Sequence, residues 1–236
     1  MAFELIPAVD VFGGRLARYT PSGPQAETAA EGEPLRAARA FVDAGARWVH
    51  VVDMDLAFRG VQANLDLLGA IAGLGASVQA AGGIAGSPES DAALRAGASR
   101  VVLGSGALLD RPGAAAEIAR LGDRAVVGIE VEDGRVRARG LRPTDLPLDE
   151  TLGWVAAAGA GRLLVTGTSR VGTLAGPDLV AVAVAVATGI PVIAAGGIGK
   201  MDDLAALREA GAVGAVVGRA ALDGTIDLAA AIASFG

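Results

Sequence analysis

The chain repeats itself at a fixed spacing. Ala80-Ala81-Gly82-Gly83-Ile84 recurs 114 positions later as Ala194-Ala195-Gly196-Gly197-Ile198, and each copy is followed 22 positions on by another glycine, Gly104 and Gly218. Ala96-Gly97-Ala98 returns at the same offset of 114 as Ala210-Gly211-Ala212, and Gly45-Ala46 returns as Gly159-Ala160. An earlier pair, Asp10-Val11 before Gly14-Arg15-Leu16 and Glu130-Val131 before Gly134-Arg135-Val136, is offset by 120. A repeat carried this far means two copies of one supersecondary unit, each needing the other to cover its apolar face.

The unit itself is legible from the apolar runs. Strand candidates are Leu5 to Asp10, Trp48 to Asp53, Ser77 to Ala81, Arg100 to Gly104, Ala125 to Glu130, Arg162 to Thr166, Pro191 to Ala195 and Ala215 to Gly218, each followed by a loop and a helical pattern. They are rich in Val, Ile and Ala without strict alternation, as strands of a parallel sheet buried on both faces require. Eight such βα units in 236 residues predict an α/β fold, a single (β/α)8 TIM barrel spanning residues 1–236, with half-barrels of about 1–122 and 123–236.

A barrel of this kind places its active site at the C-terminal ends of the strands and often binds phosphate after strands seven and eight. Gly196-Gly197 and Gly218-Arg219 fall there, where backbone N–H groups and a helix N-terminus favour a dianion. The repeat predicts a second cup from Gly82-Gly83 and Gly104-Ser105 across the mouth. A ligand filling both carries two separated phosphates. The alternative for any one Gly-Gly pair is a tight turn.

The mouth also carries acids. Asp10 and Glu130 end equivalent strands, so they read as a general acid and base on opposite sides of one substrate, or as caps of the loops that follow. Thr166, ending strand six, either donates a hydrogen bond to substrate or terminates the strand. His50, the one histidine, sits in an apolar run and reads as a packed core residue. With no cysteine and no His cluster, no metal is expected. Asp53 and Asp55 bracket the end of strand two, where a pair of acids could bind a cation, but they read rather as structural or as substrate contacts.

Together Ile6-Pro7-Ala8-Val9-Asp10-Val11 with Gly14-Arg15 and Arg18, His50-Val51-Val52-Asp53, Ala81-Gly82-Gly83-Ile84, Gly128-Ile129-Glu130-Val131, Gly172-Thr173-Leu174 and Val217-Gly218-Arg219-Ala220 resemble the ProFAR isomerases of histidine biosynthesis and their bifunctional relatives, the phosphoribosyl isomerase A family. The resemblance covers the whole chain. It implies a cofactor-independent Amadori rearrangement of an aminoaldose bearing a phosphate at each end, with phosphoribosylanthranilate of tryptophan biosynthesis as a second substrate in bifunctional members. It also implies Asp10 as base, the acid at 130 as its partner, and Arg18 and Arg139 as substrate contacts, with Gly172 and Thr173 in the strand-six loop.

Four positions depart from that pattern. Glu130 stands where the family usually has Asp, Val171 where the strand-six loop carries an acid, Leu141 where an aromatic stacks, and Ala85 where an Arg follows the first Gly-Gly-Ile. Three readings follow: an isomerase in which Glu130 takes the acid role; a barrel turned to another sugar phosphate; and a divergent bisphosphate-binding barrel of altered or weak activity. A Schiff-base aldolase is disfavoured, because the only lysine, Lys200, lies in a loop past the second cup.

Other classes are excluded on composition. A formal charge of −6 with interspersed signs and 3% aromatic residues argue against nucleic acid. Apolar runs too short for a bilayer and an amino terminus unlike a signal peptide point to a cytoplasmic protein without a membrane partner. The resemblance implies a monomer, and the sequence itself carries no oligomerisation signal either way.

Overall fold

In the computed structural model, which describes residues 3–20, 22–26 and 33–236, eight parallel strands close into a barrel. Met1 and Ala2, part of the amino-terminal stretch read above, lie outside the described residues. The barrel strands are β1 (Glu4–Phe12), β2 (Trp48–Asp53), β3 (Ser77–Ala81), β4 (Arg100–Leu103), β5 (Ala125–Glu132), β6 (Leu163–Gly167), β7 (Val192–Ala195) and β8 (Gly214–Val217). Pairing runs through all eight in chain order and closes between β8 and β1. Two of the eight expected spans coincide with the observed strands; the others differ by one or two residues at one or both ends.

The outer ring consists of α1 (Pro34–Asp43), α2 (Leu65–Ala72), α3 (Ser87–Arg95), α4 (Arg111–Leu121), α5 (Leu148–Ala157), α6 (Leu179–Val186), α7 (Met201–Glu209) and α8 (Leu228–Phe235). The bounds of α2, α3 and β4 reappear 114 residues on as those of α6, α7 and β8. Even the caps repeat. The Glu89 carboxylate accepts from the Gly86 N–H at 3.2 Å, and Asp203, 114 residues on, accepts from the Lys200 N–H at 3.2 Å. Each fixes the entry of its helix by offering an acceptor to an N–H that no helical turn can satisfy.

Two layers of apolar side chains hold the fold. Outward-facing residues such as Val9, Val51, Val101 and Val127 pack under the helices. Inward-facing Ile6, Ala8, Ala81, Val102, Val126, Leu164, Ile193 and Val216 fill the barrel, so the interior is a packed plug below the mouth and not a pore. The strand alternation sends one residue in two inward, which carries Asp10 and Glu130 onto the inner face above that plug.

Two hairpins were not expected from the strand pattern. β1 continues into Arg15–Thr20, which pairs with Gly23–Ala26, and β5 continues into Arg135–Val136, which pairs with Leu146–Pro147. Both rise from the mouth, one in each half. They extend the two strands that carry the acids.

Candidate active site

Asp10 pairs in register with Val52, and Glu130 with Thr166. Because Val52 and Thr166 are 114 residues apart, the two acids occupy the same rung of the two half-barrels. Their sequence offset is 120 because 42 residues separate Asp10 from Val52 in the first half and only 36 separate Glu130 from Thr166 in the second. The acids thus face one another's half across the mouth.

Their electrostatic environments differ. Burial pushes the Asp10 carboxyl up from 3.8 to about 6, with the Arg139 guanidinium pulling in the opposite direction. Glu130 is engaged by the same arginine: Arg139 Nε donates to Oε1 at 2.7 Å and the Arg139 backbone N–H donates to Oε2 at 3.3 Å. The guanidinium also lies 4.5 Å from the centroid of the Tyr19 ring. One cation therefore serves both acids, and an aromatic ring from the first hairpin holds it in place. An Asp with a pKa near 6 is largely ionised at neutral pH yet basic enough to accept a proton, which suits a general base.

The loop that delivers Arg139 crosses the mouth. The Leu141 N–H donates to the Ala57 carbonyl at 3.0 Å, and a Cβ on Gly106 would lie 2.7 Å from the Cβ of Arg142, so the loop rests on the turn after β4. A cavity of about 320 Å³ opens between this loop and the barrel, lined by His50, Gly83, Gly104, Glu130, Arg139 and Thr166 among others. That volume lies within the ~300–1,000 Å³ of small-molecule sites.

Gly82, Gly83, Gly104 and Ser105 all line this cavity. Gly82 needs its left-handed φ of +94°, and a Cβ there would collide with the Asp53 carbonyl. Its counterpart Gly196, at φ +93°, would bring a Cβ within 2.7 Å of the Gly167 carbonyl. These glycines thus satisfy a close crossing of neighbouring loops as well as leaving backbone exposed. The Ser105 hydroxyl donates to the Gly128 carbonyl and accepts from the Glu130 N–H, both at 2.9 Å, so it ties β4 to β5 below the acid. The Gly104 N–H donates to the Ile84 carbonyl at 2.9 Å.

Gly172, Thr173, Gly196, Gly197, Gly218 and Arg219 gather on the other side of the mouth, apart from that cavity. Arg219 reaches from the end of β8 to the strand-six loop, its Nη1 donating to the Gly172 carbonyl at 2.8 Å. The Gly176 N–H donates to the Gly197 carbonyl at 2.9 Å, and the Thr173 hydroxyl to the Arg170 carbonyl at 2.8 Å. Val171 is half-buried in the same loop. Arg18 is exposed on the first hairpin, opposite Gln25.

The remaining acids near the mouth are structural. Asp53 caps the short helix Met54–Arg59 by accepting from the Leu56 N–H at 3.0 Å, and Asn64 bridges it to Asp55. Asp55 in turn accepts from the Gly13 N–H at 2.7 Å and pairs with Arg59 at 2.9 Å. This cluster joins the β1 and β2 loops. Among the described residues no group of three or more His, Asp or Glu side chains is placed to hold a metal.

Tyr19 and His50 were not singled out for the site by sequence pattern. His50 is buried, yet it lines the cavity floor, and burial together with the Arg100 charge pulls it down to about 3, leaving the ring neutral. The signal available in advance was positional: His50 shares the inner face of β2 with Val52.

A family described as "Histidine biosynthesis protein" matches residues 4–227. The chain is 42% identical over 243 residues to phosphoribosyl isomerase A of Mycobacteroides abscessus, covering 99% of each chain. It is 40% identical over 230 residues, 95% of each chain, to the 1-(5-phosphoribosyl)-5-((5-phosphoribosylamino)methylideneamino) imidazole-4-carboxamide isomerase of Acidothermus cellulolyticus. Its identity to the protein of that name in Moorella thermoacetica is 39% over 235 residues, 97% of each. A barrel with two acids on equivalent rungs, matched by that family over nearly its whole length, belongs to the histidine-biosynthesis isomerases.

Proposed function

We propose that this chain isomerises ProFAR by an Amadori rearrangement within a single barrel domain. The observation that carries the reading is the placement of Asp10 and Glu130 on equivalent rungs about one arginine, with Asp10 raised to about 6. A proton delivered to the ribose ring oxygen breaks the C1′–O bond and leaves a Schiff base. A base then removes the C2′ proton, and the enolamine takes a proton at C1′ while its C2′ hydroxyl gives one up, leaving the aminoketose. No net oxidation occurs. Asp10 is the base at C2′ and Glu130 its partner at the ring oxygen, with Arg139 neutralising charge between them and Thr166 donating a hydrogen bond to substrate.

The two cups hold the terminal phosphates. Gly82, Gly83, Gly104 and Ser105 form the first, and Gly172, Thr173, Gly196, Gly197, Gly218 and Arg219 the second, with Arg18 contacting the substrate from the first hairpin. Backbone amides and the following helix N-termini supply the dianion's partners. The test is turnover of purified ProFAR and phosphoribosylanthranilate by the native chain, by Asp10→Asn and by Glu130→Gln. ProFAR turnover lost in both variants is the expected result; turnover unchanged in Glu130→Gln removes it from the acid role. Turnover of phosphoribosylanthranilate alongside ProFAR assigns the bifunctional activity carried by some relatives.

A second reading, a bisphosphate-binding barrel of weak activity, is favoured by one observation. Arg139 engages both Glu130 oxygens, while Val171 supplies no acid from the strand-six loop. Tight ProFAR binding without turnover is its signature.

A further inference from the structure

Below the mouth, polar side chains run through the barrel floor in an unbroken chain. Arg100 Nη2 donates to Glu4 Oε2 at 2.7 Å, Arg100 Nε donates to Gln79 Oε1 at 2.6 Å, and Gln79 Nε2 lies 2.9 Å from His50 Nδ1. The Trp48 ring covers the guanidinium, 3.8 Å from its centroid. Arg100, Gln79 and His50 are each 5% exposed or less.

The direction of every bond in this chain is dictated by chemistry. A guanidinium has only donors, so the Gln79 atom facing Arg100 is the carbonyl oxygen, and the atom facing His50 is the amide nitrogen, a donor. Nδ1 of His50 must therefore accept, which requires it to be unprotonated and leaves the ring's one proton on Nε2. Nε2 has no hydrogen-bond partner among the described residues, yet Trp154 Nε1 is the one fully buried side-chain polar atom left unpaired among them. The Nε2–H thus opens on the cavity that His50 lines.

We infer that Glu4, Arg100 and Gln79 act as positioning residues that lock His50 in its neutral Nε2–H form, presenting a fixed hydrogen-bond donor to an acceptor oxygen of the substrate at the cavity floor. The groups facing His50 are Gln79 on β3, with Arg100 of β4 behind it, and Ala8 on β1, so no acid lies against the ring to draw a second proton onto it. That the acceptor belongs to ProFAR rests on the function proposed above. The tautomer does not.

Because the chain contains one histidine, selective 15N-histidine labelling gives two ring resonances that report the tautomer directly. The native protein is expected to show a protonated Nε2 and an unprotonated Nδ1, unchanged from about pH 5 to about pH 8. Gln79→Glu puts an acceptor against Nδ1 and is expected to move the proton to Nδ1 or to charge the ring. It raises the KM for ProFAR about tenfold, the scale of one lost hydrogen bond. Adding ProFAR to the native protein shifts the Nε2–H resonance. A native Nδ1–H form, an imidazolium, or an Nε2–H unmoved by saturating ProFAR overturns the inference. Absence of ProFAR turnover beside a locked Nε2–H tautomer overturns the proposed function instead and leaves the lock standing.

Discussion

Replacing Asp10 by Asn is expected to abolish turnover and to make the protein more stable, and both effects have the same origin. Burial lifts the Asp10 carboxyl from 3.8 to about 6, so the native state prefers the neutral acid and holds the carboxylate at a disadvantage. Moving a pKa from 3.8 to about 6 corresponds to about 3 kcal/mol. With the folded value above the unfolded one, the native state binds the proton more tightly. The stabilisation from protonation is therefore complete below about pH 4 and is lost as pH rises through about 6. Asn, a neutral isostere, removes that penalty, so the variant gains up to ~3 kcal/mol above about pH 7 and nothing near pH 4. For a chain of 236 residues this is a Tm rise of roughly 6–12 °C as an upper bound. Solvent contact at the mouth lowers it.

The assay is thermal unfolding of both proteins across that pH range beside ProFAR turnover at neutral pH. Loss of a general base lowers kcat by about 10²- to 10⁴-fold. A variant that is equally stable at neutral pH, or a stability gain independent of pH, refutes the electrostatic account of Asp10. A variant that is stabilised and still fully active refutes its role as base.

Other substitutions test the parts separately. In the native protein kcat/KM falls as pH drops through about 6; Arg139→Ala moves that acid limb upward, because Arg139 is the group lowering the Asp10 pKa, and a pH–rate profile reads the move. Gly82→Ala meets both the left-handed φ and the Asp53 carbonyl and destabilises by about 3 kcal/mol or more. Gly134→Ala, at φ +71° with nothing within 4 Å, loses only ~1–2 kcal/mol by chemical denaturation. Val171→Asp changes kcat less than about threefold if Glu130 is the acid, whereas a gain on the order of 100-fold identifies the strand-six loop as the missing acid's place.

What could be read in advance follows the range of the interactions involved. The offsets of 114 and 120 reflect backbone architecture that repeats locally, so strands, outer helices and the rung shared by Asp10 and Glu130 were all accessible from them. The loop conformations were not. Leu141 meets Ala57 across the mouth, and no local pattern in either segment encodes that meeting. The Ser105 hydroxyl illustrates the same limit: beside the first Gly-Gly pair it reads as a ligand contact, while in the barrel its register against β5 puts Gly128 and Glu130 within reach. His50 was legible as buried but not as facing a cavity, because its neighbour Gln79 comes from another strand.

The central claim, that Asp10 takes the C2′ proton of ProFAR, is tested most directly by following ProFAR in deuterium oxide by proton NMR. The account predicts that the native chain erases the C2′ proton signal and yields an aminoketose carrying solvent deuterium at C1′, and that Asp10→Asn does neither. ProFAR left unchanged by the native chain, or the same exchange in Asp10→Asn, contradicts it.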